Sequence, residues 1–114
     1  PTSTGSGTPQ SLLPYTEEEY RVVREGMRQG VLGGTASALS NPNVQIAAKT
    51  GTAELGTLRQ YVNSWVTGFF PYESPRYAFA MVMERGPRAN LVGAPIAMRT
   101  VIEWMALHRP KYLK

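Results

Sequence analysis

The sequence predicts a mixed α/β (α+β) fold in the order helix, short helical turn, three antiparallel strands and C-terminal helix. Two observations predict this fold. Apolar residues recur at helical spacing near both ends of the chain, and strand-like apolar runs joined by Gly, Pro and Asn turns occupy its middle. The length of 114 residues suits one small domain or a part of a larger one.

The N-terminal region combines a linker-like segment with a well-defined helix start. Residues 1–14 are rich in Thr, Ser, Gly and Pro, so we expect a linker or flexible segment there. Thr16 followed by Glu19 forms a capping box, which predicts that a helix begins at this point. Three glycines then end the helix, and a short helical turn over residues 35–39 follows. The predicted apolar face of the helix consists of Tyr20, Val23, Met27 and Val31.

Three strands are predicted in the centre of the chain. The first spans Val44 to Thr50 and is followed by a loop from Gly51 to about Gln60. The second spans Tyr61 to Phe70, and the third spans Tyr77 to Glu84 and ends in a turn at Gly86 and Pro87. Both are nearly continuous apolar runs, so we expect both faces of the sheet to be covered. Two helices can hardly do this, so the chain would expose an apolar surface of the kind that marks an interface.

The last helix is predicted to begin near Pro95, because proline is favoured in the first turn. Pro110 is expected to end it, and the residues beyond are expected to be frayed. His108, near the end of this helix, is interpreted as a surface residue. The apolar stripe of the helix is predicted to be Met98, Val101, Ile102 and Met105.

The composition excludes several classes of site. The chain has no cysteine, no aspartate and a single histidine, so it cannot by itself form a thiol nucleophile, a Ser-His-Asp triad or a Cys/His metal site. The net charge is +4, but the arginines are scattered, which indicates an ordinary solvated surface and no nucleic-acid partner. No run approaches the roughly 18 apolar residues of a membrane helix, and no signal peptide is visible.

The stretch most informative about chemistry is Lys49-Thr50-Gly51-Thr52. A lysine on a predicted strand beside alanines is costly to bury unless it is paired. With two hydroxyl groups and a glycine beside it, this lysine offers a cation, hydroxyl donors and accessible backbone N–H groups. An anionic substrate group would bind such a set. Strict alternation along a strand, however, places Lys49 and Thr50 on opposite faces.

These residues resemble the Lys-Thr-Gly motif of penicillin-binding proteins and serine β-lactamases. The resemblance extends from about Leu13 to Leu107 and is closest to class B transpeptidases. It implies a β-lactamase/transpeptidase-like fold, with residues 15–114 forming the C-terminal part of a penicillin-binding transpeptidase domain. Its further matches are Gly34-Thr35-Ala36, residues 62–71, residues 75–78 and residues 94–97.

The resemblance implies roles for specific residues. Lys49 would hold positive charge near a nucleophilic serine and assist proton transfer. The hydroxyl groups of Thr50 and Thr52 would bind the carboxylate of the donor peptide or of penicillin. Gly51 would let the substrate approach the backbone, and the N–H group of Thr52 would supply half of an oxyanion hole. The strand would form a sheet edge along which substrate adds as a further strand.

Two motifs of that family are missing from this sequence. None of the serines has a lysine three residues later or an asparagine two residues later. In the family both motifs lie upstream of Lys-Thr-Gly, so we expect a fragment that lacks its nucleophile and is inactive alone.

The implied partners are a stem peptide ending in D-Ala-D-Ala, β-lactams and the missing N-terminal part of the same domain. No metal or organic cofactor is implied, and the parent protein would be membrane-anchored with this part outside the cytoplasmic membrane.

Several alternatives remain open at this point. A D,D-carboxypeptidase, a β-lactamase and a β-lactam sensor share the implied fold, and a non-catalytic basic binding module is a possibility from a different class. Glu54 is interpreted as an exposed loop carboxylate. Tyr61 and Trp65, as strand aromatics, are predicted to belong to the core.

Overall fold

The computed structural model describes residues 13–87 and 93–114. It contains two α-helices, a three-stranded sheet and two short 3-10 turns, as the mixed α/β prediction requires. The predicted linker, residues 1–14, lies almost entirely outside the described residues. In chain order the elements are α1 (Glu17–Gly33), a 3-10 turn (Ser37–Leu39), β1 (Ala47–Leu55), β2 (Tyr61–Phe70), β3 (Tyr77–Pro87), α2 (Ala94–His108) and a second 3-10 turn (Pro110–Leu113).

Helix α1 begins with the predicted capping box. The backbone N–H of Glu19 donates to the Thr16 hydroxyl at 3.1 Å, and the Thr16 N–H donates to the Glu19 carboxylate at 2.8 Å. These two bonds satisfy N–H groups that would otherwise lack a partner at the helix start. The predicted apolar face is only partly correct, because Val31 is buried whereas the Val23 side chain is 60% exposed.

The sheet is antiparallel, in the order β1-β2-β3, which confirms the predicted topology. The predicted bounds of the first strand were wrong. β1 starts three residues later than predicted and continues through Gly51 to Leu55, where Leu55 lies opposite Tyr61. We predicted a loop from Gly51 to about Gln60, but residues 51–55 pair with β2, and such pairing outweighs a weak local strand propensity. Glu54 therefore lies on a strand and not on a loop.

The third strand also runs further than predicted. Gly86 and Pro87, predicted to form a turn, lie opposite Val62 and Tyr61 as part of β3. A register shift between Val62 and Ser64 marks a bulge in this pair of strands. At the bulge, the side-chain oxygen of Asn63 accepts a hydrogen bond of 3.0 Å from the Arg85 N–H, and Arg85 has a φ of 54°. The bulge keeps the two strands paired past the point where the sequence pattern weakens.

The core lies on one face of the sheet. Its members come from α1, the first 3-10 turn, all three strands and both C-terminal elements, so α2 and the 3-10 turns cover this face. The fully or nearly fully buried members include Val31, Leu39, Ile46, Ala48, Val66, Phe70, Met98, Ile102 and Leu113.

The opposite face of the sheet carries partly exposed aromatic side chains. Tyr61 and Trp65 are 36% and 41% exposed, so the prediction that they belong to the core was wrong. The Arg85 guanidinium lies 5.5 Å from the Tyr61 ring centroid, within cation–π range. Helix α1 covers the end of this face at Ala47, which is fully buried, and its Arg24 guanidinium lies 5.9 Å from the Phe69 ring centroid. The described residues thus cover this face only in part and leave the Tyr61 and Trp65 side chains partly exposed.

Helix α2 follows the predicted pattern at its start and departs from it at one position. Pro95 lies in its first turn, as predicted, and the helix ends at His108, before Pro110. Val101 is 39% exposed, although it belongs to the predicted apolar stripe. The segment from Pro110 onward was expected to be frayed, but it forms a 3-10 turn and buries Leu113 in the core.

Candidate active site

The Lys49–Thr52 segment lies on β1, an edge strand of the sheet. Helix α1 runs beside the start of this strand, and its Arg28 donates at 2.8 Å to the carbonyl of Ile46, the residue just before β1. At Gly30 the helix comes so close that a Cβ atom would lie 2.9 Å from the Ala48 carbonyl oxygen. Within residues 13–87 and 93–114, no strand pairs with the outer edge of β1, and residues 51–54 are exposed. This edge is therefore accessible to a ligand beyond Lys49.

The Lys49 ammonium reaches this accessible edge. Its Nζ atom donates a hydrogen bond of 2.6 Å to the carbonyl oxygen of Thr50. The side chain starts on the face opposite to that of Thr50 but bends over the strand edge, so the cation comes to lie beside the next residue. Strand alternation had placed Lys49 and Thr50 on opposite faces, and the length of the lysine side chain removes that conflict.

The Thr50 hydroxyl has a partner from outside the strand. Its Oγ1 atom lies 2.7 Å from the Oγ1 atom of Thr35, which belongs to the turn after α1. No role was predicted for Thr35, although Gly34-Thr35-Ala36 was part of the family resemblance. A Thr between two small residues shortly before a Lys-Thr-Gly strand was the available signal.

Gly51 and Thr52 continue the accessible edge. Gly51 lies opposite Trp65, and a Cβ added at Gly51 would meet only the Trp65 Cβ, at 3.8 Å. Packing among the described residues therefore does not require glycine at this position. The carbonyl groups of Ile46 and Thr50 accept hydrogen bonds from side chains, so they point away from β2. In an antiparallel strand every second residue directs both its N–H and its C=O to the same edge. The N–H group of Thr52 therefore also points to the outer edge.

The strand next to this segment is tied to the start of α2. Ser64, which lies opposite Thr52, accepts a hydrogen bond of 2.9 Å from the Ala94 N–H. Gly93 approaches so closely that a Cβ there would lie 2.4 Å from the Ser64 hydroxyl oxygen. This bond satisfies a backbone donor at the helix N-terminus and links β2 with α2 behind the candidate site.

Glu54 and His108 have partners outside the Lys49–Thr52 segment. Glu54 forms an ion pair of 3.6 Å with Arg59. His108 is exposed and stacks on Trp104, which agrees with its interpretation as a surface residue. At the far end of α1, the Arg21 guanidinium holds the pKa of the Glu18 carboxyl below its usual range through a side-chain hydrogen bond.

The part of the chain that the structure describes holds neither a metal-binding cluster nor a long apolar helix. Across residues 13–87 and 93–114, no three or more His, Cys, Asp or Glu side chains form a group that could hold a metal ion. In the same part of the chain, neither helix is long and apolar enough to cross a membrane.

Comparison with known proteins identifies the family. The model of the penicillin-binding protein transpeptidase domain matches residues 6–102. The chain is 28% identical over 109 residues to the peptidoglycan D,D-transpeptidase MrdA of Acinetobacter baumannii, covering 84% of the chain but 16% of that protein. It is 41% identical over 68 residues to the peptidoglycan D,D-transpeptidase PbpA of Mycobacterium tuberculosis, covering 54% of the chain and 14% of that protein.

Solved structures agree with the sequence comparisons. The imipenem acyl-enzyme complex of penicillin-binding protein A from M. tuberculosis is 34% identical, with a TM-score of 0.62, covering 80% of the chain and 20% of that structure. The transpeptidase domain of Burkholderia pseudomallei penicillin-binding protein 3 matches 95% of the chain and 36% of its own length with a TM-score of 0.70, and at 21% identity it supports the fold alone. The chain thus spans less than a fifth of the curated relatives and belongs to the penicillin-binding protein transpeptidase domain family.

Proposed function

We propose that this chain forms one wall of the active site of a peptidoglycan D,D-transpeptidase. The whole enzyme cross-links cell-wall peptides through a serine acyl-enzyme and binds penicillin, and another part of a longer protein supplies the nucleophilic serine. One observation carries the proposal: the Lys49 ammonium and the Thr50 hydroxyl, which belong to opposite faces of β1, both lie at its accessible edge. A substrate placed along this edge would contact both groups.

Each site residue has a role in this proposal. Lys49 supplies positive charge beside the reacting serine and assists proton transfer, which requires a positioned group within hydrogen-bond reach. The hydroxyl groups of Thr50 and Thr52 bind the substrate carboxylate, since hydroxyl donors to an anion form strong hydrogen bonds. The N–H group of Thr52, directed to the outer edge, donates to the oxyanion that develops on the attacked carbonyl.

The strand edge explains how a peptide substrate would bind. An extended stem peptide ending in D-Ala-D-Ala can pair with the outward backbone groups of β1 as an additional strand. The serine oxygen then forms a bond to the carbonyl carbon of the penultimate D-Ala, and the terminal D-Ala leaves with a proton. An amine of a neighbouring peptide next attacks the acyl-enzyme, which forms the cross-link and releases the serine. Gly51 leaves the backbone open to the substrate along this edge.

β-Lactams would react at the same place as the peptide. Penicillin-binding protein A of M. tuberculosis forms acyl-enzyme complexes with imipenem and with penicillin G. By this similarity, the longer protein is acylated by β-lactams, whose carboxylate takes the place of the peptide carboxylate near Thr50. Since peptidoglycan lies outside the cytoplasmic membrane, this domain is extracytoplasmic and its parent is membrane-anchored through a helix outside this chain.

Fluorescent-penicillin labelling of the full-length protein tests the proposal. The wild type is expected to be labelled, and Lys49→Ala is expected to lower the labelling rate on the order of 10²- to 10⁴-fold, as for loss of an acid–base group. Lys111→Ala is the matched control, because Lys111 lies on the C-terminal 3-10 turn with its ammonium 5.3 Å from the Tyr112 ring centroid. Its labelling rate should equal that of the wild type.

Other outcomes contradict specific parts of the proposal. A folded full-length protein that is never labelled overturns the proposed function. A covalent penicillin adduct on the isolated 114-residue chain overturns the claim that the nucleophile lies elsewhere. Product analysis separates relatives that share the fold: D-Ala release with cross-linked product supports a transpeptidase. Release without cross-linking indicates a carboxypeptidase, and rapid turnover of penicillin indicates a β-lactamase.

A further inference from the structure

The turn that carries Thr35 is held by backbone hydrogen bonds. The carbonyl oxygen of Gly30 accepts from the N–H groups of both Gly34 and Ala36, at 3.1 and 3.0 Å. Ala36, next in sequence to Thr35, is 1% exposed and belongs to the core. The Thr35 backbone is therefore fixed relative to α1 on one side and to the core on the other.

The Thr35 side chain, in contrast, points to the candidate site. Thr35 is exposed and Thr50 is only half-buried, yet their hydroxyl oxygens lie 2.7 Å apart. A hydrogen bond between exposed neutral groups contributes little to folding, because water can replace either partner. Its placement at the strand edge where the Lys49 ammonium donates to the Thr50 carbonyl points to a role in binding and not in stability.

The chemistry of a hydroxyl group determines the direction of this bond when an anion is present. A hydroxyl has one proton and two lone pairs, and a carboxylate only accepts hydrogen bonds. If Thr50 donates its single proton to a substrate carboxylate, it has none left for Thr35. Thr35 must then be the donor and Thr50 the acceptor within the pair.

We propose that Thr35 is a positioning residue that orients the Thr50 hydroxyl toward the substrate carboxylate, an inference that rests on the proposed function. By donating to Thr50 Oγ1, Thr35 directs the Thr50 proton away from the protein and polarises its O–H bond, since hydrogen bonds in a chain strengthen one another. The turn after α1 thereby becomes part of the substrate-binding machinery, although Thr35 itself does not touch the reacting atoms.

The test measures acylation of the full-length protein by fluorescent penicillin, which carries the carboxylate. Thr35→Val keeps the shape but removes the hydroxyl, and it should lower the second-order acylation constant about 3- to 10-fold, the usual effect of one hydrogen bond. The loss should appear mainly as a weaker non-covalent complex, with the rate constant of the covalent step nearly unchanged. Thr35→Ser keeps the hydroxyl and should remain within about twofold of the wild type.

Two further variants show whether Thr35 acts through Thr50. In a Thr50→Val background, Thr35→Val should change the constant less than about twofold, because coupled residues are not additive. Thr100→Val is the matched control, since the Thr100 hydroxyl donates to the Ile96 carbonyl within α2 at 3.3 Å. It should leave acylation unchanged.

The failures of the two proposals can be told apart. A wild-type protein that is never labelled removes the proposed function and this inference with it. If Thr50→Val lowers acylation but Thr35→Val does not, the proposed function stands and the role of Thr35 is overturned. An equal effect of Thr35→Val with and without the Thr50 hydroxyl also overturns it. If Thr35→Val does not fold, the Thr35→Ser variant still tests the inference. A folded Thr35→Ser variant whose acylation falls by more than about threefold would show that packing of the Thr35 side chain matters and not its hydroxyl.

Discussion

Two glycines one turn apart on α1 are expected to respond differently to the same substitution. At Gly26 a new Cβ would meet no atom within 4 Å, whereas at Gly30 it would lie 2.9 Å from the backbone oxygen of Ala48. Alanine gains about 0.5–1 kcal/mol over glycine within a helix, and this gain applies at both positions. Only Gly30→Ala must also push the helix away from β1.

The magnitude follows from the close contact. Overpacking of a well-packed site costs typically about 1–3 kcal/mol, and here the neighbour is backbone, which cannot rotate away. Gly26→Ala should therefore stabilise by up to about 1 kcal/mol, and Gly30→Ala should destabilise by about 0–2.5 kcal/mol. For a domain of about 150–250 residues, each kcal/mol corresponds to roughly 2–4 °C in Tm.

The assay is differential scanning calorimetry of the full-length protein with either substitution, together with fluorescent-penicillin labelling. The Tm should rise for Gly26→Ala and fall or stay level for Gly30→Ala. Labelling should fall only for Gly30→Ala, because the Gly30 carbonyl accepts the hydrogen bonds that hold the turn carrying Thr35. An equal rise in Tm for both variants would refute the reasoning, since it would mean that the helix does not lie this close to β1.

Three further predictions concern the elements around the site. Thr16→Ala removes the capping hydroxyl of α1 and should lower the free energy of unfolding by about 1 kcal/mol in chemical denaturation, whereas Thr16→Ser should restore it. Ile102→Ala removes a side chain that is 1% exposed and should cost about 2–5 kcal/mol in the same measurement, with unchanged stability contradicting its place in the core. Gly93→Ala would place a Cβ 2.4 Å from the Ser64 hydroxyl oxygen, so it should slow penicillin labelling by shifting α2 or β2; Ser64→Ala in the same chain should relieve part of that loss.

The local features of this fold could be predicted from the sequence. The capping box of α1 depends on residues three positions apart, so Thr16 and Glu19 were sufficient to place the helix start. β2 was predicted with its correct bounds because apolar residues fill it and turn residues flank it. The site motif was likewise visible as four consecutive residues, and the family comparison agrees with the resemblance drawn from them.

Features that depend on contacts between elements distant in sequence could not be predicted in this way. The sequence predicted that β1 ends at Thr50 and that a loop begins at Gly51, yet β2 pairs with β1 as far as Leu55. Trp65 was expected in the core, but its side chain is partly exposed. In a continuous apolar run the sequence does not show which face of the strand a helix covers, and α2 packs on the face opposite to Trp65.

The sequence by itself determined the family, the order of the elements and the residue types at the candidate site. Only the tertiary structure decided how those residues meet. Lys49 and Thr50 alternate in sequence but come together at the strand edge, because a long side chain bends over it and the Thr35 turn approaches from α1. The physical reason is that a hydrogen bond depends on distances below about 3.5 Å between groups that chain folding brings together. Spacing along the chain does not fix such distances for residues fifteen positions apart.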